Sequence, residues 1–486
     1  MKKKIVTLAA FVAASASTAM AGGLLTNTNQ NAAFLRQLSQ NGNIDITSLY
    51  SNPAGTAFLQ PGFHLSLNVQ NAKQSRDITT TFPLFAYNVN NPTATHRFEG
   101  EANAPVIPSF QASYNWDRWS AYLNFALGGG GGGKWEFDKG LGSFEALYSS
   151  TIVSSIRQQI VQALTGLYSP QFPEQAGEIA NQIANTTRYG YDLSSYMKGR
   201  NYQFHLTAGG TYKVLDNLSV SLGLRAVYAS NNYNGFVEDV NASYDIPANA
   251  TYGFPGLQGS VNLKDNSISL NCDQTGFTLQ PIIGIDWRVN SHWNLAAKFE
   301  APTKLKLKNK TEMNTFAAQM AGQEGNLLGQ FADGRKVRED LPGILALGGQ
   351  YAPVKSVRIN AGWNYYFDKQ CKKEGNKQDF IDKGTMEVNA GVEWDICKWL
   401  TVSGGWQSTN YHLSDDYMND LTFNLSSNAM GLGVRLRATE RCTFDLGYMH
   451  SFYQTRDVIT TTAVGQKTDH YYRTNRVFGL GVNFEF

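Results

Sequence analysis

The chain has 486 residues, with 41 basic and 39 acidic side chains and a mean hydropathy of −0.33. A charge this close to neutral gives no reason to expect nucleic acid as a partner. After residue 21, no stretch approaches the roughly 18 or more consecutive apolar residues that a membrane-spanning helix needs. No Pro/Ser-rich stretch or run of charge divides the length into separate units, so the composition favours one large domain.

Residues 1–21 have the pattern of a secretory signal peptide. A lysine-rich start precedes an apolar run over 5–14, and Ala19-Met20-Ala21 provides an A-x-A cleavage site. We therefore expect an exported protein whose mature chain begins at Gly22.

The segment 22–60 does not alternate like a strand. Because it is too apolar for a typical disordered tail, we interpret it as a plug that packs inside an enclosed lumen, and a disordered tail is the alternative. Within it, Pro53 fixes its own φ and keeps Asn52 out of the helical region, while the Asn side chain can close a turn. Its larger apolar residues are Leu24, Leu25, Phe34, Leu35, Leu38, Ile44, Ile46, Leu49 and Phe58.

Alternating apolar and polar residues after residue 60 indicate strands. In the last segment, Phe478, Leu480 and Val482 share one face, and Gly479 and Gly481 share the other. Arg and Asp beside small residues on the polar faces favour a barrel with a polar interior over a soluble sandwich. The predicted strands cover 62–71, 106–115, 119–127, 200–213, 217–232, 275–289, 292–308, 338–352, 355–367, 384–396, 399–411, 426–438, 441–455 and 471–486.

Tight turns alternate with long connections along this series, and tryptophans bracket three of the turns. Tryptophan settles where hydrocarbon meets water, so these rings predict an aromatic girdle at the short-turn face. The sequence therefore predicts an all-β fold, a transmembrane antiparallel β-barrel of about 14 strands over 61–486, with long extracellular loops. The tryptophans are Trp116, Trp119, Trp287, Trp293, Trp394 and Trp399. A second girdle is predicted from Tyr233, Tyr365, Tyr366, Tyr411, Tyr453, Tyr471 and Tyr472.

The longest loop, about 128–199, has helical periodicity. Apolar residues recur every three or four positions over 144–167, and a second short helix is expected from Glu174 to Asn185. This pair must bury its apolar stripe, either by packing the helices on each other or by forming a hydrophobic groove with the next long loop. The groove candidates are Leu147, Ile152, Ile156, Ile160, Leu164, Phe254 and Leu257.

An unbroken glycine run follows the third predicted strand. Glycine tolerates positive φ and removes side chains, so the strand can bend or break its ladder here, or the run can act as a loop hinge. The run consists of Gly128, Gly129, Gly130, Gly131, Gly132 and Gly133. The four cysteines have no metal-site spacing. Cys397 and Cys442 fall at predicted turns where a disulfide could form after export.

The cleavage site, the glycine-rich start behind it, Asn52-Pro53-Ala54 and about fourteen strands resemble the FadL family of outer-membrane transporters for long-chain fatty acids and aromatic hydrocarbons. The resemblance implies that Asn52, Pro53 and Ala54 fix a hatch that closes the lumen. It also implies a monomer in the outer membrane of a Gram-negative bacterium, surrounded by outer-membrane lipid. The last strand, ending at Phe486, resembles the signal read by the barrel assembly machinery.

In that family, extracellular loops form the first capture site, and the third strand bends inward to open a lateral gate. The resemblance therefore implies that the loop helices form a capture groove and that Gly128–Gly133 form the gate. Arg157 and Lys198 are candidates to orient the carboxylate of a bound fatty acid. This chain has glycines alone where family members commonly carry a Pro-x-Gly element.

We predict uptake of a hydrophobic small molecule, and because no nucleotide motif occurs, we expect this uptake to be passive. We expect no cofactor and no metal site. An outer-membrane hydrolase would need a nucleophile beside a histidine, and the seven histidines form no recognisable constellation. A general porin for small polar solutes is the alternative, although an apolar plug and apolar loop helices are not needed for a polar pore.

Overall fold

The computed structural model describes residues 23–130, 134–322 and 327–486. The predicted signal peptide and Gly131–Gly133 lie outside the described residues.

The described residues form nineteen strands and four α-helices, with short 3-10 helices between them. The strands are β1 Gly62–Thr81, β2 Thr95–Asn115, β3 Trp119–Gly129, β4 Lys134–Phe137, β5 Arg188–Leu215, β6 Leu218–Ile246, β7 Leu257–Asn262, β8 Ile268–Arg288, β9 Trp293–Glu300, β10 Lys306–Met313, β11 Lys336–Arg338, β12 Ile344–Val354, β13 Val357–Tyr366, β14 Met386–Cys397, β15 Leu400–Asn410, β16 Ser427–Thr439, β17 Cys442–Tyr453, β18 Arg456–Thr462 and β19 Gly465–Glu485. The α-helices are α1 Ala32–Gln37, α2 Gly142–Tyr168, α3 Ala176–Ala184 and α4 Thr315–Ala321. The 3-10 helices are Ile46–Ser48, Pro53–Phe58, Pro83–Tyr87, Ala250–Tyr252, Lys264–Asn266, Leu327–Phe331, Asp368–Gln370, Glu374–Phe380 and Asp415–Tyr417.

Within the described residues these segments make fourteen antiparallel barrel strands, as predicted, because five short segments continue a longer one. The composite barrel strands are β3 with β4, β7 with β8, β9 with β10, β11 with β12, and β17 with β18. The barrel closes where β1 pairs with β19, from His64 opposite Glu485 to Thr81 opposite Thr468. This closure gives the first and the last strand a hydrogen-bonding partner each, so neither is an open sheet edge.

The outer wall carries an exposed apolar band. Leu222, Phe277 and Leu432 are each at least 60% exposed, which suits a surface facing hydrocarbon rather than water. The six bracketing tryptophans are exposed at the short-turn face, where the first girdle was predicted. Among the described residues, no helix is long and apolar enough to cross a membrane.

The predicted tyrosine girdle is wrong for most of its members. Tyr233, Tyr366, Tyr411 and Tyr471 are buried beneath the long loops, and Tyr472 points outward. Side chains of neighbouring strand residues point to opposite faces, so a residue at a strand end belongs to a girdle only when its register faces outward.

The predicted long connection 72–105 is wrong over most of its length, because β1 and β2 continue to Thr81 and from Thr95. The predicted helices over 144–167 and 174–185 are confirmed as α2 and α3. All four cysteines are free, so no disulfide joins Cys397 and Cys442.

Candidate functional site

The predicted hatch motif lies inside the barrel and is bound to its wall. Asn52 caps the 3-10 helix Pro53–Phe58, because its side-chain oxygen accepts the backbone N–H three residues later at 3.2 Å. The amide nitrogen of the same side chain donates to the Asp286 carboxylate on β8. The carbonyl of Ala54 accepts a hydrogen bond from Ser219 on β6 at 2.8 Å. The motif therefore fixes this turn of the segment to two neighbouring strands.

The helix α1 lies directly on the backbone of the barrel wall. A methyl group built on Gly447 would stand 2.5 Å from the Ala32 carbonyl oxygen, and one on Gly479 would stand 2.7 Å from the Leu35 side chain. Only glycine lets a helix approach a strand this closely. The other inward glycines in contact with residues 32–42 are Gly348, Gly362, Gly391, Gly405, Gly431, Gly433 and Gly481.

A buried network of ion pairs also joins this segment to the wall. Arg36 of α1 contacts Glu393 at 2.5 Å and Asp445 at 2.8 Å. Asp45 contacts Arg435, which itself pairs with Asp445 at 2.8 Å. Burial by itself would raise the pKa of Asp45, but the Arg435 guanidinium outweighs burial and holds that pKa well below its usual range. Glu393 and Asp445 each have a second cation, Arg358 and Arg435, so removing Arg36 would reduce the compensation of these buried charges without abolishing it.

The third barrel strand is broken. β2 pairs with β3 from Asn115 to Ser109, and pairing resumes only at Asn103, opposite β4. Among the described residues, 104–108 of β2 therefore have no ladder partner on the third barrel strand, whose residues 131–133 lie outside the described part of the chain. Two of them, Pro105 and Pro108, have no backbone N–H to contribute. The side chain of Asn71, at a bulge in β1, donates to the Pro105 carbonyl at 3.1 Å.

The start of the N-terminal segment lies in front of this break. The Asn27 N–H donates to the Gly128 carbonyl at 2.8 Å, and the Ser109 hydroxyl donates to the Gln30 carbonyl at 2.6 Å. These bonds connect residues 27–30 to both sides of the missing ladder. Residues 27–30, hereafter the front of the plug, thus stand between the break and the lumen.

Three of the six gate candidates can be placed. Side chains on Gly128, Gly129 and Gly130 would overlap His205, Leu25 and Asn201, respectively. Gly130 also has a φ of 75°, a conformation that strongly favours glycine. The run is therefore a tightly packed bend rather than a free hinge as far as Gly130.

Both faces of the wall beside the break are apolar. On the luminal side, a buried cluster includes Phe34, Leu38, Ala104, Ile107 and Leu127. On the outer side, a trough of about 480 Å³ begins at Asn71 and Pro105 and crosses β19, β17 and β16. An apolar molecule at the break would meet apolar surface on either side.

The predicted capture groove is closed by the helices that were expected to form it. Five of its seven candidates meet in one buried cluster with α3 and the tops of β5 and β6, whereas Leu147 is half-buried and Leu257 is exposed. The five are Ile152, Ile156, Ile160, Leu164 and Phe254.

The two candidate carboxylate ligands lie outside this cluster. Arg157 is half-buried and donates to the side chains of Asn181 and Asn185 at 3.3 Å and 2.8 Å, which ties α2 to α3. Lys198 is exposed on β5, 5.7 Å from the centre of the Tyr196 ring. Their role toward a substrate stays a prediction.

Three buried cations under the long loops were not predicted. Arg76 and Arg473 are directly opposite each other on β1 and β19, and each guanidinium lies over an aromatic ring. Lys377 donates to the Thr422 hydroxyl at 2.6 Å in the same region. Burial lowers the pKa of Lys377 to about 7. These cations could have been recognised only from strand register, which shows that a side chain points inward. Arg76 was assigned to a loop, so its register was not considered.

These features define a closed fourteen-stranded β-barrel with a plugged lumen and a broken third strand. No protein-family model matches the chain, and no curated protein matches it in sequence. Solved structures do match its fold. A FadL homologue from Pseudomonas aeruginosa aligns over 96% of this chain and 100% of its own length, with a TM-score of 0.61 and 15% identity.

Two toluene transporters are also similar. TodX of P. putida aligns over 90% of this chain and 94% of its own length, with a TM-score of 0.54 and 13% identity. TbuX of Ralstonia pickettii aligns over 91% of this chain and 94% of its own length, with a TM-score of 0.50 and 13% identity. The chain therefore has the fold of the FadL-type barrels.

Proposed function

We propose that this protein is a passive transporter of hydrophobic molecules across the outer membrane of a Gram-negative bacterium. One observation carries the proposal: among the described residues, the ladder between β2 and the third barrel strand is interrupted beside Pro105 and Pro108, apolar residues line both sides of this break, and the front of the plug covers it. A molecule that enters the lumen can leave sideways into lipid when the front of the plug moves. Such transport is downhill and needs no catalytic residue.

The buried cations favour a substrate with an anionic head group, such as a long-chain fatty acid. Like charges directly opposite each other in a ladder are unfavourable, so Arg76 and Arg473 gain from an anion placed between them. Each methylene of an acyl chain moved from water into the apolar cluster contributes roughly 0.8 kcal/mol. The α2–α3 cluster would serve as the capture site once the helices separate, with Arg157 and Lys198, which lie outside it, as candidates to orient the carboxylate.

A disulfide at the front of the plug tests the route. The Gln30 carbonyl accepts a hydrogen bond from the Ser109 hydroxyl, so these two residues are neighbours and are chosen for the cysteine pair Q30C/S109C. The pair is introduced into a protein in which Cys397 and Cys442 are replaced by Ser. The matched control is A54C/S219C, which replaces a second hydroxyl-to-carbonyl contact, at 2.8 Å, in the hatch motif. Uptake of a fluorescent fatty acid is measured in cells that have no other uptake barrel.

We expect oxidation of Q30C/S109C to stop uptake and reduction to restore it, while A54C/S219C transports in both states. Uptake through the oxidised front pair would refute exit at the break. A block by the rear pair alone would place the exit at the hatch motif. Replacing Arg76 and Arg473 with Gln should lower uptake of the fatty acid but not of toluene. Equal loss for both would refute the assignment of an anionic head group.

A further inference from the structure

A row of lysines begins at Lys304, just before β10, and continues on the outward face of β10, where the seventh barrel strand extends toward the long loops. The intervening Leu305 and Leu307 are buried on the luminal side, so the lysines occupy the outward face and the leucines the inward face of this segment. Alternate strand residues are about 7 Å apart, which gives the row a length of about 20 Å. Its members, all exposed, are Lys304, Lys306, Lys308 and Lys310.

A fifth lysine stands directly opposite the row. Lys308 pairs in register with Lys336 of β11, which is also exposed. Two like charges directly opposite each other destabilise a ladder unless an anion lies between them. Within the described part of the chain, no carboxylate lies within 4 Å of any of these five amino groups. The neighbouring Arg338 is already paired with Asp340 at 2.8 Å.

Acidic residues balance only the upper end of the row. Asp273 is opposite Lys310, Glu312 follows on the same face of β10, and Asp333 accepts the backbone N–H of Thr311. The uncompensated charge is therefore concentrated at the lower end, around Lys306 and Lys308.

The lower end of the row adjoins the apolar band. Phe277 and Leu279 of β8 are 62% and 46% exposed on the outer wall, directly below Thr275, which is opposite Lys308. Lysines at such a boundary extend their amino groups toward the head groups while their stems remain against apolar surface. The long-loop side of the barrel is the side that would face the outer leaflet.

We propose that this lysine row binds a multiply acylated glycolipid that carries two phosphate groups. Its acyl chains lie against Phe277 and Leu279, and its phosphates lie over Lys306, Lys308 and Lys336. A lipid with a single phosphate would neutralise only part of a row about 20 Å long. The inference goes beyond the transported substrate and depends only on the proposed outer-membrane location.

The test is native mass spectrometry of the mature protein titrated with three lipids. These are bisphosphorylated lipid A, its monophosphorylated form and phosphatidylglycerol. The K306Q/K308Q/K336Q variant removes three positive charges from the row. The K264Q/K355Q/K398Q variant removes three exposed lysines elsewhere and is the matched control. Heat-modifiable migration on gels confirms that each variant is a folded barrel.

We expect bisphosphorylated lipid A to bind most tightly, with at least about a tenfold loss in the row variant, since each lysine near an anionic lipid contributes on the order of a fivefold factor. Fatty acid uptake should be unchanged in the row variant. Equal losses in both triple variants would overturn the proposal, because charge alone would then explain binding. Phosphatidylglycerol binding as tight as lipid A binding would overturn the glycolipid assignment.

Discussion

A single methyl group at Gly447 should loosen the plug without disturbing the barrel. In Gly447→Ala, the new Cβ would stand 2.5 Å from the Ala32 carbonyl oxygen and 2.8 Å from the Leu35 Cβ. Ordinary contact needs about 3.4 Å or more, so α1 must move away by roughly 1 Å. Overpacking of this kind costs about 1–3 kcal/mol. The equilibrium between seated and unseated plug should shift by about fivefold to 150-fold.

Gly404 provides the matched control, because a Cβ there would meet its nearest atom, the Gly431 carbonyl oxygen, at 3.7 Å. Hydrogen exchange of the backbone amides of residues 32–38 is compared with that of β14 in both variants. We expect faster exchange in the plug of Gly447→Ala, unchanged exchange in β14, and wild-type behaviour for Gly404→Ala. Identical plug exchange in the two variants would refute the argument that backbone contact with glycine holds the plug.

Three further perturbations have expected outcomes. Arg36→Met removes the plug cation but leaves Glu393 its other partner, so a cost of about 3 kcal/mol is expected, and proteolysis of residues 23–60 should accelerate about 100-fold. Gly129→Val should displace Leu25, just ahead of the front of the plug, and raise ion conductance in a planar bilayer; unchanged conductance would contradict this. The pKa of Lys377 in the folded protein, about 7, is below the ordinary lysine value of about 10.4. Between pH 7 and about 10.4 the unfolded chain therefore binds more protons than the folded one, and the free energy of unfolding increases as pH rises through this range. Fatty acid binding should weaken as pH rises through 7 in wild type but not in Lys377→Arg.

The barrel could be predicted from sequence because lipid imposes a strict period of two on the outward face. The same rule explains where the prediction stopped. Beyond the apolar band, the outward face of β1 carries polar residues such as Thr79 and Thr81, so the outward apolar alternation is lost and this stretch was assigned to a loop. Strand pairing there depends on the partner strand, which no single segment encodes.

The site was less predictable, because its parts come from distant positions. Asn52 could be recognised from its proline neighbour, and the glycine run from its composition. The pairing of Arg76 with Arg473 depends on closure between the first and last strands. Five of the seven capture candidates share one buried cluster with α3, and their role in capture stays a prediction. Contacts across a barrel follow from register, and register was the least certain quantity in the sequence.

The position of the plug restricts the order in which the molecule can be assembled. The chain enters the barrel before β1, yet α1 rests on β16, β17 and β19, the strands made last. Closure of β1 against β19 over the full run from His64 to Thr81 seals a lumen already occupied by residues 24–58. The N-terminal segment must therefore wait, unseated, until its binding surface exists, and the final seam must then close around it. The plug is thus the first part of the mature chain to be synthesised, yet it acquires its contacts only after the last strands exist.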